Sequence, residues 1–146
     1  MTPDRLLRQA TPEDTEFAFL TMEKAFRIYL EPVFGWDDSV QREKHRERFS
    51  PERNRIIMDS GEDVGILRTY PDDQFQKLSQ LFILPEYQGR GLGESVLKIV
   101  LQEARERDLP VRLMVLKNNP RAIQFYKRFG FETIDHDENH FTMEAS

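Results

Sequence analysis

The chain is predicted to be an α/β (α+β) protein, a mixed central sheet of about seven strands flanked by about four helices. Three observations predict this. Strand signals crowd together between residues 55 and 84. Further along, strand signals alternate with helical ones. Strands that meander first and alternate with helices later imply a mixed sheet with helices on its faces. Finally, 146 residues with no repeat and no Gly/Ser linker suit one domain, 1–146, with one core.

The elements follow in order. Leu6 to Ala10 reads as a short first strand. Thr11 can cap a helix, Pro12 suits its first position, and Asp14 completes a capping-box pattern. Phe19, Met22, Phe26, Tyr29 and Leu30 then recur at helical spacing, and Pro32 and Gly35 are expected to break that helix. Asp37 or Asp38 caps a second, mostly charged helix to about Phe49, expected as a partly exposed lid. Arg55–Met58 and Val64–Arg68 flank a tight hairpin turn, Asp59–Asp63. A strand from Gln76 to Leu84 is ended by Pro85. Leu92, Val96, Leu97, Val100, Leu101 and Ala104 form an apolar stripe of period 3.6 that Pro110 closes. Val111, Leu113 and Val115 alternate as a strand. Asn119-Pro120 starts another helix, ended by Gly130. Phe131–Ile134 and His140–Met143 read as a final hairpin.

Composition excludes several classes. Hydrophobic residues at 38% and charged residues at 32% describe a globular chain, not a disordered one. No apolar run approaches the roughly 20 residues that span a bilayer, and the first residues lack the apolar core of a signal peptide. The net charge of −5 argues against a general affinity for nucleic acid. With no cysteine, thiolate metal sites and a cysteine nucleophile are excluded; the expectation is a cytoplasmic protein with no metal.

Gln88-Gly89-Arg90-Gly91-Leu92-Gly93 leaves a strand and opens a helix. Glycines let the backbone approach a ligand, and the unpaired amides of a helix start bind phosphate oxygens. The dinucleotide fingerprint fails, because Val96 stands where its third glycine belongs. The P-loop fails too, because Glu94 and Ser95 follow Gly93. On its own such a glycine pair also serves as an ordinary turn. A second cluster holds Asn119, Ala122, Phe125, Tyr126, Gly130 and Phe131. Ala122 and Tyr126 share a helix face, leaving room for a narrow ligand with a phenol at its end. Phe125 and Phe129 read as core.

Together the two clusters resemble the GNAT superfamily of N-acetyltransferases. Its acyl-CoA motif is Gln/Arg-x-x-Gly-x-Gly/Ala, and Gln88, Gly91 and Gly93 match it. Leu81–Tyr87 resembles the family's fourth strand and exit, and Leu113–Phe131 its fifth strand and fourth helix. The match is specific from about Leu78 to Phe131. The resemblance implies a GNAT acyl-CoA N-acyltransferase fold, splayed between strands four and five. It implies acetyl-CoA as co-substrate, with the pantetheine arm beside Phe82, Ile83 and Leu84 and the pyrophosphate on Gln88, Gly89, Arg90, Gly91, Leu92, Gly93 and Glu94. Asn119, with Ala122 and Tyr126, would contact the arm, and Arg128 or Arg121 the nucleotide end.

The implied reaction is direct attack of an amine on the thioester, with a strand amide near Phe82 or Ile83 polarising the carbonyl. Tyr126 would protonate the leaving thiolate. Some members carry a glutamate on the fourth strand; Gln76–Gln80 has no carboxylate. A water chain fed by Glu31, Asp37 or His140 is expected to serve as base. Tyr29, Glu31, Phe34 and Trp36 cluster at the break between the first two helices, where aromatics and an acid suit a cationic amine; they also suit a plain aromatic plug. The acceptor is expected to be a small-molecule or peptide amine, the assembly a monomer or homodimer. The competing expectation is a catalytically silent acyl-CoA-binding or regulatory module.

Overall fold

The computed structural model describes residues 5–146. In chain order the elements are β1 (Leu7–Gln9), a 3-10 turn (Pro12–Asp14), α1 (Thr15–Phe34), α2 (Asp38–Arg48), β2 (Asn54–Asp59), β3 (Glu62–Pro71) and β4 (Gln76–Ile83). A second 3-10 turn (Pro85–Tyr87) leads to α3 (Leu92–Glu106), β5 (Val111–Leu116), α4 (Pro120–Arg128), β6 (Glu132–His136) and β7 (His140–Ala145). The seven strands form one sheet in the order β1-β2-β3-β4-β5-β7-β6. β1–β2–β3 are antiparallel. β4 and β5 run parallel, registered at Gln76 with Val111 and Lys77 with Arg112, at the start of both strands. This is the mixed sheet and four-helix complement that the alternation of signals predicts.

One compact unit comprises the described residues up to Arg68 together with Gln80–Val96. Its core gathers Ala10, Ala18, Phe19, Met22, Ile56 and Ile66, with Phe26, Trp36, Phe49 and Phe82 packed on them. α1 buries one stripe of its surface, as the 3.6-residue period dictates. α2 has no buried residue. It is fastened to α1 by polar contacts instead: the His45 ring donates to the Thr15 carbonyl at 2.9 Å, Arg42 pairs with Glu16, and its guanidinium lies 4.3 Å from the Phe19 ring centre. Burial lowers the His45 pKa, which keeps the ring neutral. At the far end of the unit Arg8 bridges Asp14 at 2.8 Å and Asp63 at 2.9 Å.

The structure departs from expectation at Pro32. α1 runs through it and ends at Gly35, whose φ is 73° and whose amide bonds the Glu31 carbonyl at 2.8 Å. A proline in the last turn forfeits only the bond to the Ile28 carbonyl, and Ile28 is 70% exposed, so water can take that oxygen. The break belongs to the glycine alone.

The second compact unit comprises Thr69–Ser79 and Leu97–Ser146. Val100, Leu101, Ala104, Leu113, Val115, Ile123, Phe131 and Met143 are buried there. β7 lies between β5 and β6, antiparallel to both, registering Leu113 with Met143 and Thr133 with Met143 from either side.

Candidate functional site

The phosphate-turn motif takes its shape from two glycines. Gly89 has φ 82° and Gly91 φ 79°, a region where an L side chain is strained. Among the described residues a Cβ at either position would meet nothing within 4 Å, so the demand is conformational and the space above the turn is open. The first intrahelical bond of α3 runs from Ser95 to the Gly91 carbonyl at 3.1 Å. The amides of Leu92 and Gly93 therefore precede the helical ladder and have no acceptor within it. Gln88 reaches back, its side-chain amide donating to the Ile83 carbonyl at 2.9 Å. That bond joins the turn to the last residue of β4. Open space, orphan amides and the positive end of a helix dipole are what a phosphate group requires.

Arg90 adds a cation, but it is already engaged. Its guanidinium lies 3.4 Å from Asp59 and 5.0 Å from the Tyr87 ring centre. The Tyr87 hydroxyl in turn donates to Glu62 at 2.9 Å, a bond that raises its pKa. Sequence reasoning missed Asp59, Glu62 and Tyr87. The signal available was the acidic hairpin turn Asp59–Asp63, read only as a connection.

β4 is pinned just before this turn. Gly65 of β3 sits against it, and the Leu84 amide bonds the Val64 carbonyl at 2.8 Å. Phe82 also stacks on Phe26 of α1, ring centres 5.0 Å apart.

In the second unit the Asn119 side chain caps α4, accepting from the Ala122 amide at 3.2 Å. Tyr126 is half-buried between Phe125 at 5.3 Å and Phe131 at 5.5 Å. Its hydroxyl has no hydrogen-bond partner among the described residues, and burial pushes its pKa up to about 12. The phenol is thus protonated at any physiological pH and holds a donor in reserve. Arg128 leans over the Phe125 ring at 5.7 Å. His140 opens β7 with its Nδ1 3.2 Å from Asp137, a carboxylate that also accepts the Asn139 and His140 amides.

The model of the acetyltransferase (GNAT) domain matches residues 14–142. The chain belongs to the GNAT acetyltransferase family. Its relatives include the spermine/spermidine N(1)-acetyltransferase of Bacillus subtilis (strain 168), 40% identical over 73 residues, covering 47% of this chain and 48% of that protein. The mycothiol acetyltransferase of Acidimicrobium ferrooxidans is 28% identical over 138 residues, covering 90% of this chain and 44% of that one. The chain thus spans about half the length of these curated relatives. Among solved structures, the PaiA N-acetyltransferase of Thermoplasma acidophilum, crystallised with coenzyme A, superposes with a TM-score of 0.78 at 18% identity, over 96% of this chain and 97% of that one.

At the end of α1, this GNAT chain places the expected acceptor residues apart from one another in role. Trp36 packs on Phe19 at 6.3 Å beneath the Arg27 guanidinium, and its buried Nε1 has no hydrogen-bond partner among the described residues. Glu31 is gripped by Arg27 through two bonds, 3.0 and 3.2 Å, which hold its pKa below the usual carboxylate range. Tyr29 is half-buried. Asp37 is taken up in capping α2, accepting from the Val40 amide at 3.1 Å and from Ser39. Between α1 and α2 lies a groove of about 400 Å³ lined by Leu30, Phe34, Val40, Gln41, Lys44 and Arg48 with Gly35 and Asp37. Among the described residues no helix is long and apolar enough to cross a membrane, and no group of three or more His, Asp or Glu is placed to hold a metal.

Proposed function

We propose that the chain transfers an acetyl group from acetyl-CoA to a primary amine of a small molecule or peptide. One observation carries the reading: the left-handed Gly89 and Gly91 open the amides of Leu92 and Gly93 while Gln88 ties that turn to Ile83, the last residue of β4. The turn takes the pyrophosphate, with Arg90 exchanging its Asp59 partner for a phosphate oxygen. The strand takes the pantetheine arm, Asn119 and Ala122 serve it from α4, and Arg128 or Arg121 serves the nucleotide end.

The amine nitrogen attacks the thioester carbonyl, the C–S bond breaks, and the amine loses a proton. Tyr126 acts on the departing sulfur. A thiol has a pKa of about 8.5, so full transfer from a phenol near 12 to a solvated thiolate runs uphill by about 5 kcal/mol. A hydrogen bond to the sulfur as charge develops, with transfer completed as solvent returns, fits the buried phenol better. The acceptor proton leaves through water, because Glu31 and Asp37 are committed to Arg27 and to the α2 cap; His140 remains the candidate relay. The absence of cysteine suits a cytoplasmic setting. Release of free thiol from acetyl-CoA over a panel of amines, with the product gaining one acetyl group, tests this.

A second reading is an acyl-CoA-binding module without turnover. The carboxylate-free stretch Gln76–Gln80 of β4 and the capture of Glu31 favour it. CoA binding with no thiol release from any amine is its outcome.

A further inference from the structure

We infer that the acceptor is a peptide-like amine bearing a carboxylate, held by the groove between α1 and α2, and not a polycation. This rests on the acetyl-transfer reading. Phe26 stacks on Phe82, the strand assigned to the donor arm. Leu30 and Phe34 follow Phe26 on one face of α1 at four-residue steps, and both line the groove. This apolar track runs about 12 Å from Phe26 to Phe34 at 1.5 Å per residue. Phe34 and Val40, its two walls, are 55% and 46% exposed, unusual for large apolar side chains standing together.

The charge of the groove decides the class. α2 carries four permanent cations. Arg42 is spent on Asp38 and Glu16, and Arg46 on Glu43. Lys44 and Arg48, one turn apart, line the groove and have no carboxylate partner among the described residues. The one acid in the lining, Asp37, is bound by the α2 cap and held below its usual pKa by those bonds. In a chain of net charge −5, the groove is a local cationic surface. An extended peptide advances about 3.3 Å per residue, so an amine beside Phe82 puts its third to fifth residue among Phe34, Lys44 and Arg48. An apolar residue followed by an acidic one fits both halves of the lining. A polyamine would bring further positive charge to the two cations.

The test uses the full chain and three probes: the pentapeptides Ala-Leu-Leu-Glu-Glu-amide and Ala-Leu-Leu-Gln-Gln-amide, and spermine. Binding is measured by calorimetry alongside acetyl-CoA turnover. The acidic peptide should bind and turn over at least 10-fold better than the neutral one, with spermine last. The double substitution Lys44→Gln, Arg48→Gln, on exposed positions that leave the core alone, should bring the acidic-to-neutral ratio close to one. Equal binding of the two peptides, a ratio untouched by the double substitution, or a preference for spermine overturns the inference. Acidic preference in binding with no turnover of any probe upholds the groove and sinks acetyl transfer instead.

Discussion

A Cβ placed on Gly65 would meet the carbonyl oxygen of Phe82 at 2.5 Å and the Cα of Ile83 at 3.2 Å. β3 thus presses on the backbone of β4 at the residues assigned to the donor arm. The obstacle is backbone, which cannot swing aside as a side chain can. Gly65→Ala should cost about 1–3 kcal/mol of stability, the range for overpacking, and raise KM for acetyl-CoA by displacing the strand. Chemical denaturation and steady-state kinetics read the two effects; a variant as stable as the parent contradicts the contact.

Tyr126→Phe should reduce kcat roughly 10–1,000-fold, around the size of a general-acid contribution, and change the KM for acetyl-CoA little. Unchanged kcat would remove the phenol from the reaction. The same variant has a signature at high pH. A phenol whose folded pKa is near 12, against about 10 unfolded, holds its proton more tightly in the native state. Stability tied to it is intact below pH 10 and declines as pH rises to 12, by up to about 3 kcal/mol. Denaturant midpoints at pH 9 to 11.5 should fall faster for the parent than for Tyr126→Phe.

The turn makes a separate demand. Gly91→Ala adds no clash, yet forces alanine to φ 79° at a cost of about 1–2 kcal/mol or flattens the turn. KM for acetyl-CoA should rise about 10-fold, a loss of about 1.4 kcal/mol. Adding a Cβ at Gly91 with no effect on KM would mean the phosphates bind elsewhere.

Proton release from the acceptor bears on His140. With Glu31 and Asp37 committed elsewhere, kcat/KM should climb close to tenfold per pH unit from pH 6 to 9 for an amine of pKa about 10.4, since only the neutral amine reacts. A plateau well below the pKa of the amine that His140→Ala abolishes would make His140 the base.

The Arg8 bridge is a stability element only. Asp14 is buried, and Arg8 holds its pKa down. Arg8→Met should cost about 3 kcal/mol, because a buried carboxylate loses its partner. Its contribution is present above pH about 4 and is lost as the pH falls through the lowered pKa of Asp14, so thermal unfolding of parent and variant should converge toward strongly acid pH.

The shape of the glycine turn and the start of α4 were legible because their determinants are local. A glycine pair in a turn, an asparagine cap before a proline and an apolar stripe of fixed period each declare themselves within a few residues: Gly89 and Gly91 shape the turn with positive φ and Asn119 caps α4. Pro32 misled because a proline breaks a helix only where its missing bond matters. The acceptor half was obscure because it depends on which charges pair. Glu31 beside aromatics suggests a receptor for a cation, yet Arg27 stands four residues before it, the spacing of a helical ion pair. The close approach of Gly65 to Phe82, and the placing of β7 between β5 and β6, join residues far apart in sequence, and no local pattern encodes them.

Among the described residues β6 meets a neighbour on one side only, and all five of its residues are exposed. Lifting it from the sheet uncovers little apolar surface, so it opens at small free-energy cost while β7, bonded to β5, stays in place. In deuterated water the amides of Thr133 to His136 should exchange ahead of those of Phe141 to Glu144, making the outer strand of this hairpin the first part of the sheet to take up solvent isotope. The acids Glu132 and Asp135 on that rim make it a poor template for a further strand.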